Sequence, residues 1–328
     1  MCRASIQSRF TIERRDKHRI ALLFAARLRM LSAERLALLA SPCGFLAMKK
    51  LPFTKAEANG NDFLLVERGQ VPAAERAVLT RELCDRHAGV GADGVEFYAW
   101  AEGQLQLTLH NADGQEAEIS GNGTRCAAAF AARHYQFREG LIVTACGPKW
   151  TRVTRADTGD GLWRLESRLG QPEFRPERIP MNDSSDRVIE RAVPQLGGIM
   201  TAVSLGNPHA CVEVTEFPVD WQARAAAFQA TGIFPQGVNV EYYRVTGPQA
   251  IEIRIFERGV GETRSSGTGS SAAAVAALAR GRVSSPVLVT SPGGTQSVSW
   301  EPAGDAVEVR LEGPARLIAE GFFFRAEA

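Results

Sequence analysis

The residues best suited to chemistry stand in two short stretches of one pattern, Ser120-Gly121-Asn122-Gly123-Thr124-Arg125-Cys126 and Ser266-Gly267-Thr268-Gly269-Ser270-Ser271. Each runs from a serine through glycines into an alanine-rich segment. Glycine permits close backbone approach and alanine propagates a helix. The first N–H groups of a helix have no internal partner, so its start can hold an anion. Two such starts facing one cavity would grip a carboxylate or stabilise an enolate-like charge. A single copy reads as an ordinary turn before a helix; two in register point to a site.

The elements that must position these stretches repeat as well. The serines lie 146 residues apart, and the same offset carries Gly60-Asn61-Asp62-Phe63 onto Gly206-Asn207-Pro208-His209 and Leu107-Thr108-Leu109 onto Ile253-Arg254-Ile255. With a one-residue slip, Val95-Glu96-Phe97-Tyr98 matches Val240-Glu241-Tyr242-Tyr243. The pattern predicts a duplicated domain with a pseudo-twofold axis, a first half over 48–194, a second over 195–328, and one site between them. Helices are expected over 124–135 and 270–279, apolar nearly all round and therefore buried. Strands dominate their surroundings, including 141–144, 162–167, 188–192, 306–311 and 315–324. The expected class is α+β: in each half a curved, mostly antiparallel sheet wraps a central small-residue helix.

Superposing the repeats gathers Asn61 with Asn207, Asn111 with Glu257, and Asn239 opposite Gly94, with Arg258 beside them. Each asparagine alone reads as a turn residue. As a repeated set they suit a zwitterionic, amino-acid-like ligand, with Arg258 and the helix starts taking carboxylates and Glu257 an ammonium.

Composition bounds the rest. The chain has 328 residues, 45% apolar and 23% charged, with a formal net charge of +1, so it shows no nucleic-acid footprint. Six scattered cysteines without a C-x-x-C suit a reducing, cytoplasmic compartment. No histidine spacing suggests a metal. The glycines of 89–94 do not make a dinucleotide fingerprint, because the order is loop then strand. Residues 1–47 carry nine Lys/Arg against three Asp/Glu. They read as a basic amphipathic targeting or surface helix, a packed accessory helix, or sequence upstream of a working start at Met48; the last is favoured, since Met48-Lys49-Lys50-Leu51-Pro52-Phe53 opens the first repeat cleanly. Charges interrupt every apolar run there, so no membrane span is expected.

From Met48 onward the chain resembles the diaminopimelate epimerase family. The resemblance rests on Phe53-Thr54-Lys55, Gly60-Asn61-Asp62-Phe63, Gly91-Ala92-Asp93-Gly94, Asn111-Ala112-Asp113-Gly114, Gly121-Asn122-Gly123-Thr124-Arg125-Cys126, Gly206-Asn207-Pro208-His209 and Glu257-Arg258-Gly259-Val260-Gly261-Glu262-Thr263 followed by Gly267-Thr268-Gly269. It implies a cofactor-free, two-lobed homodimeric enzyme that interconverts LL- and meso-diaminopimelate on the route to lysine and cell-wall precursor. It also implies that Asn61, Asn111, Asn207, Asn239, Glu257 and Arg258 contact substrate. Gly121, Asn122, Gly267 and Thr268, at the two helix starts, would hold the α-carboxylate, and His209 would sit beside the first catalytic position.

Ser120 and Ser266 depart from that pattern, for the family has cysteine at both. One thiolate takes the α-proton and the other thiol delivers a proton to the opposite face. A thiol titrates near pH ~8.5, and a helix start lowers it further. A hydroxyl needs another base to take its proton; His209 is the first candidate and Glu257 the second. Cys126 matches a family cysteine that is not the acid/base. Three readings therefore stand: an epimerase using Ser120 and Ser266 with assistance, a related isomerase or dehydratase, and a non-catalytic binder.

Overall fold

The computed structural model describes residues 48–117, 119–300 and 308–326. The stretch 1–47, with the readings attached to it, lies outside the described residues. Residues 51–323 form one compact unit.

Seventeen described strands join in a single sheet around four helices: α1 (Ala73–Cys84), α2 (Gly121–His134), α3 (Trp221–Gln229) and α4 (Gly267–Ala279). The order of elements repeats. Strand Asn61–Glu67 lies parallel to Gly94–Ala101 with α1 between them in sequence, and Pro208–Glu213 lies parallel to Asn239–Gly247 with α3 between. Strand Gln104–Asn111 is parallel to Glu139–Thr144 across α2, and Ala250–Glu257 to Val287–Ser291 across α4. The other ladders are antiparallel, as an α+β class requires. No helix among the described residues is long and apolar enough to cross a membrane.

Small side chains explain where α2 and α4 lie. From Asn122 to Ala132, α2 is buried throughout, and α4 is buried at Gly267 and from Gly269 to Leu278. Ala127, Ala128, Ala129 and Ala131 are wholly inaccessible, as are Ala272, Ala273, Ala274, Ala276 and Ala277. Alanine lets the surrounding strands approach the helix axis closely enough to exclude water from every side. Leu65, Leu105, Ile142 and Leu165 pack around α2, and Val203, Ile253, Ile255 and Val289 around α4. Each fully buried aliphatic side chain of this kind contributes about 1.5–3 kcal/mol.

Strand Arg310–Ala326 belongs to both arrangements. It pairs with Gly294–Ser299 and with Leu162–Arg168. Its Leu311 enters the cluster around α4, and Ala315, four residues on, enters the cluster around α2.

Several expected boundaries shift. Both central helices begin three residues earlier than expected, at Gly121 and Gly267, because the serine caps draw the glycines into the first turn. The strand expected over 188–192 is confined to Arg191–Val193. The break expected between 311 and 315 is absent, since Gly313-Pro314 stays in register with Leu165 and Arg164. Strand Gly147–Arg155 went unread; a register shift near Val153 and opening Gly147-Pro148 obscure its alternation. The connection over 172–182 contains a 3-10 turn at Pro176–Arg178, and Glu173 bridges to Ser204.

Candidate active site

The two serines are N-caps of equal geometry. Ser120 has extended backbone (φ −123°, ψ 122°), and its Oγ accepts from the Gly123 N–H at 3.1 Å. Ser266 (φ −140°, ψ 130°) accepts from the Gly269 N–H at 3.2 Å. In accepting, each hydroxyl keeps its own proton free to donate. Both are half-buried, Gly121 is exposed, Gly267 is buried and Thr268 is half-buried.

A carboxylate stands behind each cap. On strand Asn239–Gly247, Glu241 is fully buried; a Cβ on Gly269 would stand 2.8 Å from its Oε1. On strand Gly94–Ala101, Glu96 is 2% exposed, and a Cβ on Gly123 would collide with its Oε1. These are the requirements that make both positions glycine. The two carboxyls are partnered differently. Glu241 Oε1 lies 2.8 Å from His209 Nδ1, and its Oε2 is 3.9 Å from the Cys211 thiol. Glu96 Oε2 is buried without a hydrogen-bond partner. The reason lies in register: His209 sits beside Asn239 as Phe63 sits beside Gly94, so the first half offers a phenyl ring where the second offers an imidazole. Burial pushes the Glu96 carboxyl up to about 8.

Glu257 ends strand Ala250–Glu257, half-buried. Burial raises its pKa; the Ser266 hydroxyl against it and His209 pull it back, while Glu241 pushes it further up. His209 thus belongs to the Ser266 end. Its Nε2 lies 3.0 Å from Asn207 Oδ1, and among the described residues no hydrogen bond joins it to Ser120. Strand pairing next to Asn239 turns the ring toward Glu241.

The amide positions fall into two groups. Asn61 Nδ2 donates to Asp93 Oδ2 at 2.6 Å, and Asn122 Nδ2 donates to Asn61 Oδ1 at 3.3 Å, linking the Gly60 turn to the start of α2. Asp93 and Asp62 are braced by Arg86, and Asp62 also by Lys55 at 3.1 Å. In the second half, Asn239 Oδ1 accepts from the Arg258 N–H at 2.9 Å, and its Nδ2 donates to the Pro208 carbonyl at 3.3 Å. The Arg258 side chain donates to the Gln236 carbonyl and is exposed. Asn111 is exposed at the end of its strand, in register with Gly94.

Arg125 was not among the expected site residues. It is wholly buried, donates from Nη2 to Asn122 Oδ1, and leaves Nε and Nη1 unpartnered. Its Nη1 lies 4.0 Å from a Cβ built on Gly121 and 3.7 Å from one on Gly267, so the guanidinium bridges the starts of α2 and α4. Gly313 makes room for it, since a Cβ there would stand 2.9 Å from Nε. Burial lowers its pKa to about 10, which leaves it cationic at neutral pH. Two helix starts and a guanidinium put positive potential on one place. No cluster of three or more metal-ligating side chains occurs among the described residues.

Solved structures share this fold. A PhzF-family phenazine biosynthesis protein of Bacillus anthracis superposes with a TM-score of 0.60 at 16% identity, covering 84% of this chain and 99% of that one. A hydroxyproline epimerase of Agrobacterium vitis, with bound trans-4-hydroxy-L-proline, gives 0.56 at 16% identity over 84% and 92%. The fold is thus that of the diaminopimelate epimerase, proline racemase and PhzF group. Sequence goes further. The family profile described as diaminopimelate epimerase matches residues 53–161 and 201–318. A diaminopimelate epimerase of Xanthomonas campestris pv. campestris is 37% identical over 279 residues, covering 83% of this chain and 96% of that protein. One from Cyanothece sp. is 37% identical over 290 residues, covering 83% and 99%. The chain belongs to the diaminopimelate epimerase family; it is an isomerase, an amino-acid epimerase.

Proposed function

We propose that the protein interconverts LL- and meso-diaminopimelate, with Ser120 and Ser266 facing the two sides of the α-carbon. The observation that carries this reading is the equivalence of the two caps: each puts one hydroxyl, with a carboxylate behind it, at the start of a buried helix. The backbone N–H groups at Gly121-Asn122 and Gly267-Thr268, with Arg125 behind them, would hold the α-carboxylate. As the α-proton leaves, negative charge moves onto that carboxylate, and fixed donors aimed at it stabilise the developing charge more than the ground state. Asn61, Asn111, Asn207, Asn239 and Arg258 would hold the rest of the substrate, and Glu257 would face its reacting end beside Ser266.

At the Ser266 end the hydroxyl is not alone. Glu257 lies against it, and His209 with Glu241 stands behind. A carboxyl held above its usual range is nearer the working pH and so a better partner for a hydroxyl that must gain and lose a proton.

A second reading has one observation in its favour. Both hydroxyl oxygens already serve as helix caps, which is sufficient structural reason for serine there and would suit a binder without turnover. Incubation of the full chain with LL-diaminopimelate in D2O, followed by NMR, separates the two. Epimerisation predicts loss of the α-hydrogen signal together with formation of the meso isomer. Saturable binding of LL-diaminopimelate without exchange would overturn the proposal in favour of the binder.

A further inference from the structure

We infer that Glu96 is the relay carboxyl of Ser120, accepting and returning the proton that this hydroxyl exchanges with the substrate. The inference rests on the epimerase reading above and assigns a role to a residue outside the family's site positions.

Three observations carry it. Glu96 and Ser120 line one small cavity at the start of α2, together with Thr124, Ile119, Thr144, Leu107 and Leu109. Both also pack against Gly123: a Cβ there would meet Glu96 Oε1 on one side and the Ser120 Cβ at 3.3 Å on the other. Finally, Glu96 is 2% exposed with Oε2 unpartnered, whereas its repeat counterpart Glu241 is occupied by His209. A glutamate used only for packing would be expected to find a donor, as buried polar groups do. This one has been left with an oxygen free, next to a hydroxyl whose proton is free.

In the step the substrate Cα–H bond breaks and its hydrogen bonds to Ser120 Oγ. The former hydroxyl proton of Ser120 passes to a Glu96 oxygen, and the C–H electron pair stays on the enolate-like substrate. On the other face Ser266 gives its hydroxyl proton to the carbon and is reprotonated from Glu257. One proton leaves the substrate and one arrives, with no change of oxidation state. The reverse reaction runs the same transfers backward.

The form of Glu96 that accepts the Ser120 proton is the ionised one; burial holds the carboxyl at about 8, so the accepting fraction, and with it the forward step, grows as pH rises toward 8. Around it, α2 presents the titratable Cys126, whose thiol feels the Glu96 charge. The neighbouring strands present Leu65, Leu107, Leu109 and Thr144, none of them charged.

The test is Glu96→Gln in the full chain, with Glu96→Asp beside it. Glu96→Gln should lower kcat for epimerisation by roughly 100-fold or more, with KM nearly unchanged, and should abolish an ionisation near pH 8 in the kcat profile. Exchange of the α-hydrogen in D2O should survive from only one diastereomer, the one whose hydrogen faces Ser266. Glu96→Asp should regain part of the rate. A role in packing alone would depress exchange from both diastereomers together and leave the pH profile unshifted; that result overturns the inference, as does unchanged turnover in Glu96→Gln. Wild-type turnover is the control: without it the epimerase reading falls and takes this role with it, while wild-type turnover beside an unaffected Glu96→Gln removes the role of Glu96 alone.

Discussion

His209 Nδ1 and Glu241 Oε1 stand 2.8 Å apart with side-chain exposures of 1% and 0%. The pair lies behind the Ser266 cap, and its carboxylate also meets the Cys211 thiol at 3.9 Å. Removing one member leaves the other buried without a counterpart. His209→Leu is therefore expected to cost about 3–5 kcal/mol, the usual loss when a buried pair is broken. Glu241→Gln keeps an acceptor for the ring and should cost less. Urea unfolding midpoints of the two variants would check the order.

Cysteine at both caps should improve the catalyst. Thiols with a free pKa of ~8.5 lie far closer to neutral pH than hydroxyls, and the helix starts lower them further. The double variant Ser120→Cys/Ser266→Cys is expected to exceed wild type in LL-to-meso turnover by roughly 10-fold or more. Ser120→Ala and Ser266→Ala should each abolish it and also lose about 1 kcal/mol of cap energy. Initial rates by NMR, with thermal melts alongside, measure both effects.

Gly123 and Glu96 should couple. A methyl group on Gly123 collides with Glu96 Oε1, so Gly123→Ala is expected to destabilise by about 1–3 kcal/mol, as overpacking does. In a Glu96→Ala background the obstruction is gone and the same change should cost much less. The non-additivity of the cycle measures the contact directly.

Stability should depend on pH through Glu96. Its folded pKa, about 8, exceeds the ordinary 4.5. Between those values the folded chain holds a proton that the unfolded chain has released, so stability falls as pH rises from about 4.5 and levels off above 8. Glu257 is shifted in the same direction and adds to the trend. Glu96→Gln should be more stable than wild type at pH 8 and close to it at pH 5, a difference that denaturant titrations at the two pH values would read.

Much of this site can be read from the sequence, because duplication writes it twice. The paired serines and amides stand at a constant offset, and helices apolar on every side can only be central. What escaped has physical reasons. The starts of α2 and α4 were read late because glycine is a poor helix former; the Oγ contacts of Ser120 and Ser266 that hold those turns are tertiary facts. Glu96 was not singled out, because a lone glutamate in a strand carries no sign of burial; the match of Val95-Glu96-Phe97-Tyr98 to Val240-Glu241-Tyr242-Tyr243 is the signal that could have found it. Arg125 was hidden inside a family motif, and its burial depends on Gly313, nearly 190 residues away. The orientation of His209 toward Glu241 follows from strand register, which the sequence does not spell out.

Strand Arg310–Ala326 gives Leu311 to one core and Ala315 to the other. On the ribosome this sets an order of events. Neither central helix can be fully enclosed until that strand has emerged, so the first repeat must wait, with alanine-lined surfaces of α2 uncovered, while the whole second repeat is synthesised. At roughly 5–20 residues per second the wait is on the order of ten seconds or more. Through that interval the growing chain shows apolar surface that the finished fold buries, the condition under which incomplete chains associate.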